Sequence, residues 1–374
     1  MLCQLAGAHP ALKTGMNMRD IARLFLLPLM MALPLVSAAQ SAATAPAEPP
    51  GCSPAAQRIH EERFISLGGI EQWVTIKGAS CANPVILFLH GGPGNTMSPY
   101  ASAIYGAWEK EFTLVQWDQR GAGMTFGHNP QTAGSELTIE RMTQDGLELA
   151  AHLARYLGQQ KIILVGGSWS SVLGVHMVKA RPDLFYAFIS SGQLVSYREN
   201  QRASYRKVLD LARATGDVKT VAALEALGPP PWENPRNFGI LRRATRVYEA
   251  KKSTSAPASW WVPEPQYATP KFQAEYEQGE DYSYLQFVGV NGKGMFSRVD
   301  LPALGTQFRV PVFFIQGRED LVTLPEVAKR YFDAITAPQK EFILLPQTGH
   351  DPNAAMVEAQ YSLLKKRIVP LLNE

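Results

Sequence analysis

The residue pattern predicts an α/β chain: a mostly parallel sheet flanked by helices, with a helical cap inserted into it. Three observations carry this reading. Short, continuous apolar runs such as Pro84–His90 and Ile162–Val165 end in glycine-rich turns, as strands buried on both faces do. They alternate with longer stretches of helical period, such as Thr138–Leu157, which is the rhythm of a parallel sheet with crossover helices. That alternation stops between about Gly192 and Asp300 and then resumes, so an insertion between two halves of one sheet accounts for the chain more economically than a second domain.

Size and composition agree. The chain has 374 residues, 46% hydrophobic and 18% charged, enough to bury a sizeable core. Its formal charge is +3 with no basic run, so no nucleic-acid partner is expected. There are no internal repeats.

Residues 1–39 read as a signal peptide. Arg19 and Arg23 precede the apolar stretch Leu24–Val36, and small residues follow at Ser37, Ala38 and Ala39, which fits cleavage after Ala38 or Ala39. The stretch is shorter than the roughly 20 residues a spanning helix needs, and Pro28 and Pro34 interrupt it. No stable membrane span is therefore expected after signal removal; a retained anchor is the rival. Translation starting at Met16 or Met18 would shorten an unusually long leader. The expected location is exported, periplasmic or secreted. Cleavage removes Cys3 and leaves Cys52 and Cys81, which an oxidising compartment would pair as a disulfide; two unpaired buried thiols are the alternative.

Residues 40–57, rich in Ala, Ser and Pro, form a linker. The first part of the core spans 58–192. Arg63–Leu67 and Gln72–Lys77 are strands joined at Gly68-Gly69. Pro84–His90 and Phe112–Trp117 are buried strands, running into Gly91-Gly92-Pro93-Gly94 and Asp118-Gln119-Arg120-Gly121. Thr138–Leu157 places apolar residues at 139, 142, 149, 153 and 157 on one helix face. A strand then ends at Gly166-Gly167-Ser168, a helix runs from Ser170 to about Ala180, and a strand lies near Phe185–Ser190. Residues 193–300 form the cap, of helices and loops, with Pro229-Pro230-Pro231 and a Ser/Pro-rich stretch at Ser253–Ser259. The second part of the core, 301–374, carries strands at Val310–Ile315 and Glu341–Leu345 and helices near Pro325–Ile335 and 354–371.

The chemistry centres on Ser168. Its context is close to G-x-S-x-G, the strand–turn–helix elbow that lifts a serine Oγ clear of a sheet; a βα turn with a serine N-cap is the plainer reading. A serine hydroxyl needs a general base, itself oriented by an acid. Asp320 and His350 follow Ser168 in that order, each just beyond a strand. Glu319 is the adjacent rival acid. Asp118 precedes the serine and fits the order badly, and His176 lies on the helix after the elbow. Acyl transfer also needs oxyanion donors: the N–H of Trp169, and one from the loop after His90, with Gly92 first and Gly91 next. No Cys/His cluster has metal-ligand spacing and no G-x-G-x-x-G follows a strand, so no cofactor is expected.

Together His90-Gly91-Gly92-Pro93-Gly94, Trp117-Asp118-Gln119-Arg120-Gly121, Gly166-Gly167-Ser168-Trp169-Ser170, Gly317-Arg318-x-Asp320 and Gly349-His350 resemble the prolyl iminopeptidase-like branch of the α/β-hydrolases. The resemblance covers about residues 60–192 and 301–370. It implies the α/β-hydrolase fold, with Ser168 as nucleophile, Asp320 as acid and His350 as base, and with Asp118 and Arg120 bracing the site. Ser170 departs from it, standing where the elbow usually has its last glycine. The glutamates with which such peptidases grip a free amine have no matched context here; Glu199, Glu233, Glu249 and Glu275 to Asp281 are the acidic candidates. Cap aromatics (Trp232, Trp260, Trp261, Tyr282, Tyr284, Phe287) suit either an apolar pocket or packing of the cap itself.

The expected function is a serine hydrolase acting through an acyl-enzyme on a small amide or ester, foremost as an aminopeptidase on N-terminal proline. Its partner is a small-molecule or short-peptide substrate. A carboxylesterase or lactonase is the runner-up, and a non-catalytic binding protein the alternative of another class. Epoxide hydrolases and dehalogenases need a carboxylate where Ser168 stands. Oligomeric state is not legible.

Overall fold

The structure, a computed structural model, describes residues 58–129 and 136–373. The expected signal peptide and linker, with Cys3 and Cys52, lie outside the described residues.

Among the described residues eight strands form one sheet: β1 (Ile59–Leu67), β2 (Ile70–Gly78), β3 (Val85–Leu89), β4 (Thr113–Trp117), β5 (Ile162–Ser168), β6 (Phe185–Gln193), β7 (Val312–Gly317) and β8 (Lys340–Leu345). Their order is β1-β2-β4-β3-β5-β6-β7-β8. β2 runs antiparallel to both of its neighbours, β1 and β4; all pairs from β4 to β8 are parallel.

The apolar runs are strands because the sheet is covered on both sides. Val85, Leu87 and Leu89 of β3 join one hydrophobic cluster, whereas Ile86 and Phe88 join another. In β5, Ile162 and Leu164 divide from Ile163 and Val165 in the same way. Alternate side chains of a strand point to opposite faces, so a strand with a core on each side has no polar positions.

Among the described residues ten α-helices accompany the sheet: α1 (Ala101–Tyr105), α2 (Gly123–His128), α3 (Ile139–Tyr156), α4 (Trp169–Ala180), α5 (Tyr197–Ala214), α6 (Val218–Leu227), α7 (Pro235–Ala250), α8 (Pro270–Val288), α9 (Pro325–Ala334) and α10 (Ala354–Leu363). The expected helix over 138–157 is α3, which starts where the Thr138 hydroxyl accepts the Arg141 N–H, a side-chain N-cap. Helices α5 to α8 lie between β6 and β7. Among the described residues of that segment β pairing is confined to two isolated bridges, Ser196 to Asp300 and Gln307 to Thr336. Helices α7 and α8 begin with proline at the first turn, behind capping Asn234 and Thr269. There the missing N–H costs nothing.

The last helix is shorter than the expected 354–371. It passes into a π-helical turn at Leu364–Ile368 and then a 3₁₀ turn at Val369–Asn373, because Pro370 has no N–H to give the preceding turn and its ring crowds that turn's carbonyl. Among the described residues no helix is long and apolar enough to cross a membrane.

Candidate active site

Parallel strands that share a direction deliver their following loops to one edge, the edge at which open α/β sheets bind ligands. Ser168 closes β5, Asp320 follows β7 and His350 follows β8. The glycine loop follows β3, and Asp118 follows β4.

The elbow is a strained turn. Ser168 has φ 53° and ψ −123°, a region that side chains other than glycine seldom occupy. Its neighbours make room for it. A Cβ at Gly166 would lie 2.8 Å from Ser170 O, and one at Gly167 would lie 3.0 Å from Ser191 O. Ser170 carries a specific role: its hydroxyl donates to Leu89 O at 2.7 Å and accepts the Gly167 N–H at 2.9 Å. The serine that replaces the elbow's usual glycine thus ties the end of β3 to the turn.

His350 Nε2 lies 2.9 Å from Ser168 Oγ, and His350 Nδ1 lies 3.0 Å from Asp320 Oδ2. Asp320 is buried, with both oxygens occupied. Oδ1 accepts the N–H groups of Val322 and Thr323 at 2.9 and 2.8 Å. Oδ2 accepts the Thr323 hydroxyl at 2.7 Å and Gln316 Nε2 at 2.8 Å, besides facing the histidine. Burial alone would raise its pKa; the His350 charge and these hydrogen bonds overcome it and hold the carboxyl below its usual range. His350 is the mirror image: burial works to lower its pKa, but the charge and hydrogen bond of Asp320 carry it above the usual value. Glu319 is partly exposed, and its backbone N–H goes to Thr348 O, so Asp320 is the acid that meets His350. His176, half-buried on α4, is not among the imidazole's partners.

The glycine loop presses on the elbow. A Cβ at Gly91 would lie 3.6 Å from that of Ser168, and Gly92 has φ +106°, with Gly94 N 2.8 Å from where its Cβ would be. Only glycine tolerates that conformation. The loop is held from behind by His90. Its Nδ1 meets Gly91 O at 2.9 Å and its Nε2 accepts the Gln119 N–H at 3.1 Å; these partners assign the neutral tautomer with its proton on Nδ1. Burial lowers the His90 pKa to about 4. Gln119 returns a bond to His90 O at 3.0 Å and accepts Trp169 Nε1–H at 3.3 Å, joining the glycine loop to the residue after the serine. Trp169 begins α4, so its backbone N–H stands at a helix N-terminus, which favours negative charge.

Asp118 and Arg120 brace the surroundings. Asp118 accepts the Ser98 hydroxyl at 2.5 Å and the Met124 N–H at 2.9 Å, and burial raises its pKa to about 7. Arg120 pairs with Asp145 at 2.7 Å and donates to Gly68 O at 2.8 Å. Sequence reasoning missed Gln119, Asp145 and Gln316 as supports, since nothing local marks a glutamine or a helical aspartate as a partner of a distant loop.

The cap aromatics mostly pack among themselves. Phe287 stacks on Phe296 at 4.7 Å and meets Trp169 edge-on at 5.3 Å, while Trp232 packs on Phe238 at 5.6 Å. Helix α8 rests on the glycine loop: a Cβ at Gly94 would lie 2.9 Å from Glu280 Cα, and Asn95 Nδ2 donates to Glu280 Oε1 at 2.8 Å. Among the described residues no cluster of three or more His, Cys, Asp or Glu is placed to hold a metal ion.

Residues 84–354 match the family model for the alpha/beta hydrolase fold. The chain is similar to a protein named probable aminopeptidase YbaC from Bacillus subtilis, with 26% identity over 296 residues, covering 77% of this chain and 90% of that one. It is similar to a probable proline iminopeptidase from Leptolyngbya boryana, with 26% identity over 283 residues, covering 73% and 82%. Among solved structures it resembles that of VinJ, with a TM-score of 0.61 at 19% identity over 83% of this chain and 99% of the other; a likeness at that identity speaks for the fold.

Proposed function

The chain belongs to the α/β-hydrolase fold family, and from that premise we propose that it is a serine hydrolase forming an acyl-enzyme on small amides, foremost as an aminopeptidase that removes N-terminal proline. The observation that carries this is the continuous relay of Ser168 Oγ, His350 and Asp320 at 2.9 and 3.0 Å. It supports the serine mechanism, whose steps are these. His350 Nε2 takes the Ser168 proton as Oγ bonds to the carbonyl carbon. The backbone N–H groups of Trp169 and Gly92 hold the oxyanion. His350 then passes the proton to the leaving amine, and the C–N bond breaks. In deacylation His350 takes a proton from water, the hydroxide adds to the acyl carbon, and the proton returns to Ser168 Oγ as the acid leaves.

The peptidase reading draws on the relatives' names and on α8. Glu280 stands at the glycine loop with one oxygen on Asn95, leaving acceptor capacity for a protonated substrate amine. The test compares a prolyl arylamide, its N-blocked form and a short-chain aryl ester, with Ser168→Ala and Glu280→Gln. Cleavage of the free-amine substrate alone, lost in Ser168→Ala and with a raised KM in Glu280→Gln, is the expected result. An ester preference indifferent to N-blocking would replace the peptidase with an esterase. Full activity in Ser168→Ala would end the serine mechanism and reopen the non-catalytic reading.

Export to the periplasm or beyond belongs to the same proposal, resting on residues 1–39, as does a Cys52–Cys81 disulfide, for which the burial of Cys81 and an oxidising compartment argue. Mass spectrometry of the unreduced mature protein should show the linked peptides; two alkylatable thiols in protein taken from the periplasm would refute the pairing.

A further inference from the structure

One carboxylate of the inserted helices touches both the loop that carries Asp320 and the loop that carries His350. Glu249, in the last turn of α7, is 6% exposed. Its Oε1 accepts the N–H of Leu321, next to Asp320, at 2.7 Å. Its Oε2 lies 3.4 Å from the backbone N of His350. We propose that Glu249 is a positioning residue for the Ser168 reaction: a clamp that ties the acid loop to the base loop and holds the imidazole in line with the nucleophile. This rests on the serine-hydrolase reading above.

Burying a carboxylate is costly unless its lone pairs meet donors. The donors here are those two backbone N–H groups, with the Arg242 guanidinium at 3.8 Å, which itself pairs with Asp351 at 2.7 Å. The approach depends on Gly349: a Cβ there would lie 3.2 Å from Glu249 Oε2 and 3.0 Å from Ser253 Oγ. The glycine before the histidine therefore lets the end of α7 reach the loop. Two further bonds stitch the same seam, from Thr254 N–H to Gln347 O at 2.8 Å and from Asn353 Nδ2 to Thr254 O at 3.0 Å. Beneath it, the carbonyls of Thr348 and Gly349 pass directly over Gly317 at the end of β7. The base loop is thus gripped from the sheet and from the cap at once.

Glu249 also acts on His350 through charge. The groups that face the imidazole are Asp320, Glu249 and Arg242, with the hydroxyls of Ser168 and Thr323. The two carboxylates favour the imidazolium and Arg242 opposes it. Neutralising Glu249 therefore lowers the His350 pKa. The acid limb of kcat/KM, where protonated His350 cannot act as base, should move to lower pH.

The experiment compares Glu249→Gln and Glu249→Ala with Ser168→Ala, reading kcat, KM, the pH profile and Tm on the prolyl arylamide and the aryl ester. Glu249→Gln keeps an acceptor for the Leu321 N–H but loses the charge. It should lower kcat by about tenfold with KM little changed, which is about 1.4 kcal/mol of barrier, and move the acid limb down. Glu249→Ala should lose more. If the alanine variant does not fold, the near-isosteric glutamine carries the test. Unchanged kcat and acid limb in Glu249→Gln, beside an inactive Ser168→Ala, would overturn the clamp and leave the serine mechanism standing. So would a rise in KM alone, confined to the free-amine substrate, which would make Glu249 an amine-binding group.

Discussion

Asp320 and His350 stand 30 residues apart in the chain with Oδ2 and Nδ1 at 3.0 Å, on loops that follow two neighbouring parallel strands. The contact moves both groups' protonation in opposite directions, Asp320 down and His350 up. Asp320→Asn removes the charge that favours the imidazolium and can turn an amide donor toward Nδ1, stabilising the wrong tautomer. A fall in kcat of about 10³- to 10⁴-fold is expected. In the wild type, activity should fall away as pH drops through a His350 pKa lying above 6.5. A pH–rate profile with its acid limb at or below the ordinary histidine value would contradict that shift.

Gly92 holds φ +106° with backbone nitrogens of Gly94 and Asn95 2.8 and 2.9 Å from its absent Cβ. Gly92→Ala must reshape the loop to which we assign an oxyanion donor. Loss of one such donor costs about 10²- to 10³-fold in kcat, so kcat should fall by that order while KM changes less. An alanine variant with wild-type kcat would place the donor elsewhere.

Ser170 bonds Leu89 O and the Gly167 N–H while fully buried. Ser170→Ala leaves both groups short of a partner and should destabilise the fold by about 1–3 kcal/mol. Chemical denaturation at neutral pH measures this directly. Replacement by glycine, the residue more usual in such elbows, should be at least as costly. Stability equal to wild type in either variant would mean that the hydroxyl is dispensable.

His90 is buried and neutral, with its pKa lowered from 6.5 to about 4. The unfolded chain therefore takes up a proton at higher pH than the folded protein does. Stability from this group is complete above 6.5 and is lost as pH falls toward 4, by about 3 kcal/mol over the window. Asp118, with its pKa raised to about 7, works in the opposite sense, the folded protein holding a proton that the unfolded chain releases above 3.8. Comparing wild type with His90→Gln separates the two. Tm at pH 7.5 minus Tm at pH 5 should be lower in the variant than in the wild type, because the loss that His90 brings on acidification is gone while that of Asp118 on the alkaline side remains; an identical difference would refute the assignment.

Much of this molecule is written in short-range pattern. The apolar runs of β3, β4 and β5, the cap at Thr138 and the glycine turns depend on residues a few positions apart, and the expected elements agree with the observed ones to within a few residues, the last helix excepted. Ser168, Asp320 and His350 could be singled out as candidates because each stands at or just beyond the end of a strand, and a parallel sheet sends all such ends to one edge.

Other features came only from the tertiary structure. Asp320 rather than Glu319 meets the histidine because Gln316, Val322 and Thr323 close around one carboxylate while the other stays partly exposed. Ser170 reads locally as a misfit and proves to be a tie to a strand 81 residues away. Gln119 stands in a motif and Glu249 among the acidic candidates, but their partners, like those of Asp145, carry no local signature, since a buried polar side chain is defined by the donors that distant segments bring to it. Period and turn chemistry are properties of a stretch of chain and can be read from it. Desolvation and hydrogen-bond pairing belong to the space between stretches, and only the packed fold creates that space.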